Sequence, residues 1–322
     1  MRILLADKFP AFGVEALIGA GHECDLKPDL DGDSLPNTID NVEILLVRST
    51  KVTQATIERG RNLKLVIRAG AGTNTIDKQA ATERGIRVCN VPGRNAVAVA
   101  ELVIGLLISI DRNIPDNVAD LRADRWNKKR YSIARGLYGR CLGIIGLGAI
   151  GMAVLERARG FGLEMYVIDK PERSSDIKKR LEALGVQTLP DLNALIQGCD
   201  ILSFHLPAVP EVRRMINADF LEKVKPETIL LNTSRGDLVD EEALIRALDE
   251  KDLRAGLDVY HNEPSAGECE FRSVLAAHPN VYGTHHIGAS TSQAQTAVAE
   301  GVIEVVAAFN EGRLLNCVNI SA

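Results

Sequence analysis

Short apolar runs recur along the chain, each followed by a longer segment in which apolar positions return every three or four residues. That alternation marks a parallel sheet with helical crossovers, so the class is α/β. Ile3–Ala6, Ile44–Val47, Leu65–Ile67 and Val88–Val91, with a weaker run near Glu23–Leu26, predict strands in the first part. Cys141–Ile145, Met165–Ile168, Ile201–Phe204, Ile229–Asn232, Gly256–Val259 and Val281–Gly283 predict a second set. Two sheets follow, one of about five strands and one of six. Between the sets lies Asn95–Arg112, apolar at nearly every interior position except Glu101. That pattern suits a helix buried between domains or subunits and marks the first boundary. Ser292–Gly312 predicts one long helix. The apolar tail Leu314–Ile320 after it needs a surface to pack on, and a return to the first domain would supply one.

Size and charge narrow the picture. The 322 residues, 46% hydrophobic and 25% charged, exceed what one core usually supports, so two domains are expected. Lys and Arg number 38 against 43 Asp and Glu, for a net charge of −5 with no run of like charge. There is thus no footprint for nucleic acid or an acidic membrane surface, and small solutes are the expected partners. Six cysteines (Cys24, Cys89, Cys141, Cys199, Cys269 and Cys317) form no C-x-x-C pair and no metal-ligand spacing with His. They read as reduced thiols of a cytoplasmic protein without a metal. The apolar stretch in Met1–Asp7 is too short for a signal peptide, and Leu102–Ile110 falls far short of the ~20 residues of a membrane span.

The strongest local motif is Gly146-Leu-Gly148-Ala149-Ile150-Gly151, directly after a predicted strand and opening an amphipathic segment, Met152–Arg159. Gly146 permits a tight turn, Gly148 lets the backbone approach a pyrophosphate, and Gly151 lets helix and strand pack closely. The helix amino terminus then offers N–H groups to the phosphates. Asp169 closes the next strand and is placed to accept hydrogen bonds from an adenosine ribose. A carboxylate there repels a 2′-phosphate and favours NAD over NADP, an inference that nearby Lys170 and Arg173 weaken.

Three ionisable residues stand just past successive strands of the second set: Arg235, Glu263 and His286. Open α/β sheets bind ligands at that edge. Hydride transfer between a nicotinamide and a 2-hydroxy acid needs such a group. An arginine fork holds the carboxylate, a histidine moves the hydroxyl proton, and a carboxylate beside it stabilises the imidazolium. Each residue alone is open to a structural role, as a turn cap, a solvated acid or a cap donor; three at successive strand ends are harder to dismiss.

Gly146–Gly151, Asn232–Gly236, Leu257–Pro264 and His286–Thr291 resemble the successive signatures of the D-2-hydroxyacid dehydrogenases, a likeness that runs through essentially the whole chain. Within that family it is greatest to members that oxidise 3-phosphoglycerate, through Val47–Thr53, Arg68–Gly72, His286–Gln295 and Asn316–Asn319. The resemblance implies a homodimer of two Rossmann-like domains with parallel sheets. The NAD-binding domain, 97–288, would be inserted in a split substrate domain, 1–96 plus 289–322. It assigns the acid/base role to His286 rather than His285, which stands where the family commonly has proline. It makes Asp258 a contact of the nicotinamide carboxamide, with Thr233, Ser234, Arg235 and His286 on the same cofactor face and Leu206, Pro207, Ala149 and Ile150 as further cofactor contacts.

For a phosphorylated hydroxy acid the resemblance implies Arg48, Ser49, Arg68 and Lys128 as phosphate or carboxylate contacts, and Gly70, Ala71 and Gly72 as a backbone cradle. Read alone, Lys128-Lys129-Arg130 is as well explained as a solvated basic stretch. Ala149 stands where the family often has arginine, and Ala98 where many members have serine. The chain ends at Ala322, where many phosphoglycerate-oxidising members continue into a regulatory domain, so feedback by that route is expected to be missing. The expected reaction is NAD-dependent oxidation of 3-phosphoglycerate. The alternatives are a glyoxylate or hydroxypyruvate reductase or a D-lactate dehydrogenase, which would not need Arg48 and Lys128, and an NAD-sensing binding protein of the same fold.

Overall fold

Runs of four apolar residues have no polar face to turn to water, and they become strands covered on both sides. The computed structural model describes residues 1–264 and 268–320. The chain divides into two units, Met1–Asn95 with Ala289–Ala322, and Ala96–Gly288.

In the first unit β1 (Arg2–Leu5), β2 (Glu23–Leu26), β3 (Ile44–Val47), β4 (Leu65–Arg68) and β5 (Arg87–Asn90) form a sheet in the order β2-β1-β3-β4-β5. All its pairings are parallel. Successive side chains alternate between two clusters. Leu4, Leu45, Val66 and Val88 face one. Ile3, Leu5, Leu46, Ile67 and Cys89 face the other, with Val298, Val302 and Val305 of the long helix Ser292–Asn310. Thr291 starts that helix by accepting the Ala294 N–H. The tail lies along β5: the Val318 N–H donates to the Val88 carbonyl at 2.8 Å, and the Asn90 N–H to the Asn316 carbonyl at 3.2 Å.

In the second unit β6 (Cys141–Ile145), β7 (Glu164–Ile168), β8 (Gln187–Leu189), β9 (Ile201–Phe204), β10 (Ile229–Asn232), β11 (Arg254–Leu257) and β12 (Val281–Gly283) form a parallel sheet in the order β12-β11-β10-β9-β6-β7-β8. It has seven strands, not six. The extra one, β8, is Gln-Thr-Leu at the edge of the sheet, largely exposed and without an apolar run to announce it. β11 ends at Leu257, two residues before the expected limit, because Asp258 turns into the following loop. The apolar helix Ala96–Arg112, expected between domains or subunits, owes its burial to its own unit: Ala100, Val103, Leu107 and Ile110 pack with Leu142, Ile144 and Leu231. Gly256 on β11 makes room for it, since a Cβ there would lie 3.0 Å from Ile110. Strand order reverses at β6, whose neighbours are β7 and β9, which opens a crevice at its carboxyl end. Among the described residues no helix is long and apolar enough to cross a membrane.

Candidate active site

At the carboxyl end of β6 the chain turns through Gly146, at φ +99°, into the helix Ala149–Ala158. A Cβ on Gly146 would stand 2.3 Å from the His205 carbonyl oxygen, and one on Gly151 would stand 2.3 Å from the Gly146 carbonyl oxygen. Only glycine fits either place. Gly148 differs, because a Cβ there meets nothing within 4 Å. The helix behind it has no side-chain cap and no acid in its first turn, so the N–H groups around Ala149 and Ile150 have no side chain competing for them. Leu206 lies beside the loop, 3.1 Å from a Cβ placed on Gly146, with Pro207 exposed next to it. After β7 the Asp169 N–H donates to the Leu189 carbonyl at 2.7 Å, and its exposed carboxylate has no partner among the described residues. An open amide-lined turn with an unpaired acid at the next strand end fits a dinucleotide.

Past β10, Asn232 is buried and organises the turn. Its Oδ1 accepts the Ser234 N–H at 3.0 Å and the Ser234 hydroxyl at 2.7 Å, and its Nδ2 donates to the Arg235 carbonyl at 2.8 Å. The Ser234 hydroxyl proton is therefore spent on Asn232. The Thr233 hydroxyl is buried with no partner, an orphaned polar atom on the edge where a cofactor is expected. Arg235 is mostly buried. Burial pushes its guanidinium below the ordinary arginine value, the Glu263 carboxylate opposing, and its Nη1 donates to the Ser234 carbonyl at 2.5 Å.

His286 and Glu263 meet, with Nδ1 of the imidazole 2.5 Å from Oε2 of the carboxylate. The other Glu263 oxygen accepts the Tyr260 N–H at 3.2 Å. His286 has φ +53°, a left-handed conformation that a residue with a Cβ adopts only when held. Asp258 holds it. That buried carboxylate accepts the Thr284 hydroxyl at 2.5 Å, the Ile287 N–H at 2.8 Å and the Gly288 N–H at 2.9 Å. The expected carboxamide contact is thus occupied largely by the chain's own loop. Lys128 sits in an exposed stretch, and among the described residues no hydrogen bond or ion pair joins it to Arg235, Glu263 or His286.

In the first unit Arg48, Ser49 and Thr50 follow β3, and all three N–H groups donate to one carboxylate oxygen of Asp7, at 2.6, 3.1 and 3.1 Å. The Ser49 hydroxyl donates to the other oxygen at 2.7 Å, and Arg48 Nη1 donates to Gln295 at 2.9 Å. This anion nest is filled by an internal acid, so Ser49 has no proton left for a phosphate. Arg68 folds over Gly70, where a Cβ would stand 1.6 Å from its Nη1. Asn90 donates to the Ala71 carbonyl at 2.6 Å, fixing the turn that leads to Gly72. Sequence reasoning missed Asp7, Asn232 and Gln295, although an Asp or Asn just past a strand was a visible signal.

Residues 104–288 match the family described as D-isomer specific 2-hydroxyacid dehydrogenase, NAD binding domain. The chain is 38% identical to a D-3-phosphoglycerate dehydrogenase of Methanocaldococcus jannaschii, over 99% of this chain and 60% of that protein. It is 40% identical to a hydroxypyruvate reductase of Thermotoga maritima, over 86% of this chain and 88% of that one. A glyoxylate reductase from Paecilomyes thermophila superimposes with a TM-score of 0.85 at 27% identity, over 99% of this chain and 98% of that one.

Proposed function

This chain belongs to the D-isomer specific 2-hydroxyacid dehydrogenase family, and on that premise we propose that it oxidises 3-phosphoglycerate to 3-phosphohydroxypyruvate with NAD. The observation that carries the reading is the His286–Glu263 pair at 2.5 Å, with Arg235 past the neighbouring strand end. The glycine turn and Asp169 would hold NAD, which would supply the hydride acceptor. Arg235 exchanges its bond to the Ser234 carbonyl for the substrate carboxylate, a fork for which guanidinium is suited. His286 takes the hydroxyl proton on Nε2, since Nδ1 faces Glu263, and Glu263 stabilises the imidazolium so formed.

A hydroxypyruvate reductase is the second reading, and two observations favour it. The Thermotoga maritima relative has that name and matches over most of its own length. The Arg48–Thr50 nest is already satisfied by Asp7. The chain spans 60% of the length of the Methanocaldococcus jannaschii relative, so the substrate rests on the chemistry of these residues. The deciding measurement is loss of NADH absorbance with phosphohydroxypyruvate beside hydroxypyruvate, glyoxylate and pyruvate, repeated with NADPH. Turnover confined to the phosphorylated keto acid supports the first reading, and turnover of hydroxypyruvate overturns it for the second.

The homodimer belongs to the same proposal. Ile114, Val118 and Leu121 lie on one face of the helix Ile114–Arg122 and are exposed, and Trp126, Ile133 and Tyr138 further on are 80–90% exposed. Such an apolar surface marks a protein contact. Sedimentation at the mass of one chain would refute it.

A further inference from the structure

The tail after the long helix brings a cysteine to the edge of the first unit's sheet, where Cys317 and Cys89 stand opposite each other in an isolated antiparallel bridge. The backbone bonds flank the pair: Val318 N–H to Val88 carbonyl, and Asn90 N–H to Asn316 carbonyl. The two cysteines exchange no backbone bond. This is the closer type of antiparallel pair, with Cα atoms about 4.5 Å apart and side chains on one face. A disulfide spans Cα separations of about 4.4–6.8 Å, a range that includes a pair of this type. Both side chains meet the same apolar cluster, Cys89 fully buried within it and Cys317 partly exposed against it. Two residues on, Asn319 clamps the tail, accepting the Val88 N–H at 2.8 Å and donating to the Ile86 carbonyl at 2.9 Å and the Thr82 hydroxyl at 3.0 Å. The pair is held face to face before any covalent bond exists.

We propose that Cys89 and Cys317 are a redox-reversible pair, oxidised by low-molecular-weight disulfides to a cystine that ties the tail to β5. The thiol that solvent reaches is Cys317. It loses its proton and attacks one sulfur of the oxidant RSSR, releasing RS⁻ and leaving a mixed disulfide. The Cys89 thiolate then attacks the Cys317 sulfur, expels the second RS⁻ and closes the bond. Two electrons pass to the oxidant, and the two thiol protons end on two RSH. Burial, with the neighbouring Cys317 thiol, pushes the Cys89 thiol up to about 12, which makes the second step the slow one. Excess thiol reverses both steps.

The test uses the full chain with oxidised glutathione at mildly alkaline pH, followed by acid quench, alkylation and a non-reducing peptide map. The expected result is the Cys89 peptide joined to the Cys317 peptide, with two of the six thiols lost to alkylation and recovered by dithiothreitol. Oxidation should raise the thermal midpoint of the native chain and leave Cys317→Ser unshifted. Cys317→Ser replaces a partly exposed side chain and avoids the core risk of altering Cys89. Cys317 recovered only as a glutathione adduct, joined to any other cysteine, or unmodified would overturn the proposal.

Discussion

Asp258 offers the sharpest test of how the site is built, because its two possible roles change different kinetic constants. The carboxylate accepts three hydrogen bonds from Thr284, Ile287 and Gly288, at 2.5, 2.8 and 2.9 Å, around a histidine at φ +53°. In Asp258→Asn the amide oxygen keeps Thr284 and Ile287 as neutral partners, but the amide nitrogen faces the Gly288 N–H, donor against donor. Bonds to a charged acceptor are worth about 1.5–3 kcal/mol each, and leaving the left-handed region relieves His286 of about 1–2 kcal/mol. A net loss of ~3 kcal/mol follows, equivalent to about a hundredfold in the population of the held loop. The expectation is a fall of about 10² in kcat with KM for NADH changed only a few-fold, measured as NADH-linked turnover on the best keto acid. His286→Ala should lose at least as much, within the ~10²–10⁴ typical of general acid–base catalysis. A variant with native kcat and a raised KM for NADH would refute the argument and return Asp258 to the cofactor.

Gly151→Ala puts a Cβ 2.3 Å from the Gly146 carbonyl oxygen and should cost ~1–3 kcal/mol with loss of NAD binding, whereas Gly148→Ala should melt normally and bind NAD more weakly; calorimetry and NAD titration on both separate the two effects. Asp111 and Arg140 are paired at 3.2 Å with both side chains buried, so Asp111→Ala leaves the buried guanidinium with the Asp200 carbonyl at 3.5 Å but without its paired carboxylate and should lower stability by about 3–5 kcal/mol in urea. Burial pushes His205 down to about 3 from its ordinary 6.5. Between those values the unfolded chain takes up a proton that the folded one refuses, so stability is lost as pH falls from 6.5 toward 3. The urea midpoint should therefore drop less between pH 6.5 and 5 for His205→Gln than for the native chain.

How much of this could be read from the sequence follows from what each feature needs of its neighbours. The strands buried on both faces announce themselves as apolar runs, whereas β8 is three largely exposed residues on a sheet edge and has nothing to announce. The glycine turn was legible because a backbone 2.3 Å from a would-be Cβ leaves one residue choice. His286 and Glu263 were legible as a pair because both follow neighbouring strand ends, although the contact itself needed coordinates.

The holding residues were not legible, for one shared reason. Asp7, Asn232 and Asp258 each stand at or just past a strand end, where an acid or amide looks the same whether its partner is a ligand or the chain's own N–H groups. In all three the partner is the chain: the Arg48–Thr50 amides, the Ser234 amide and hydroxyl, and the Ile287 and Gly288 amides. A loop organised this way is fixed before substrate arrives, so binding energy need not be spent on ordering it. The same device explains why the reaction class was more legible than the substrate. Nε2 of His286 and the guanidinium of Arg235 are functional groups that no internal acid saturates. Ser49, by contrast, gives both its protons to Asp7, so the segment that suggests an anion contact in the sequence is spent on the chain's own acid.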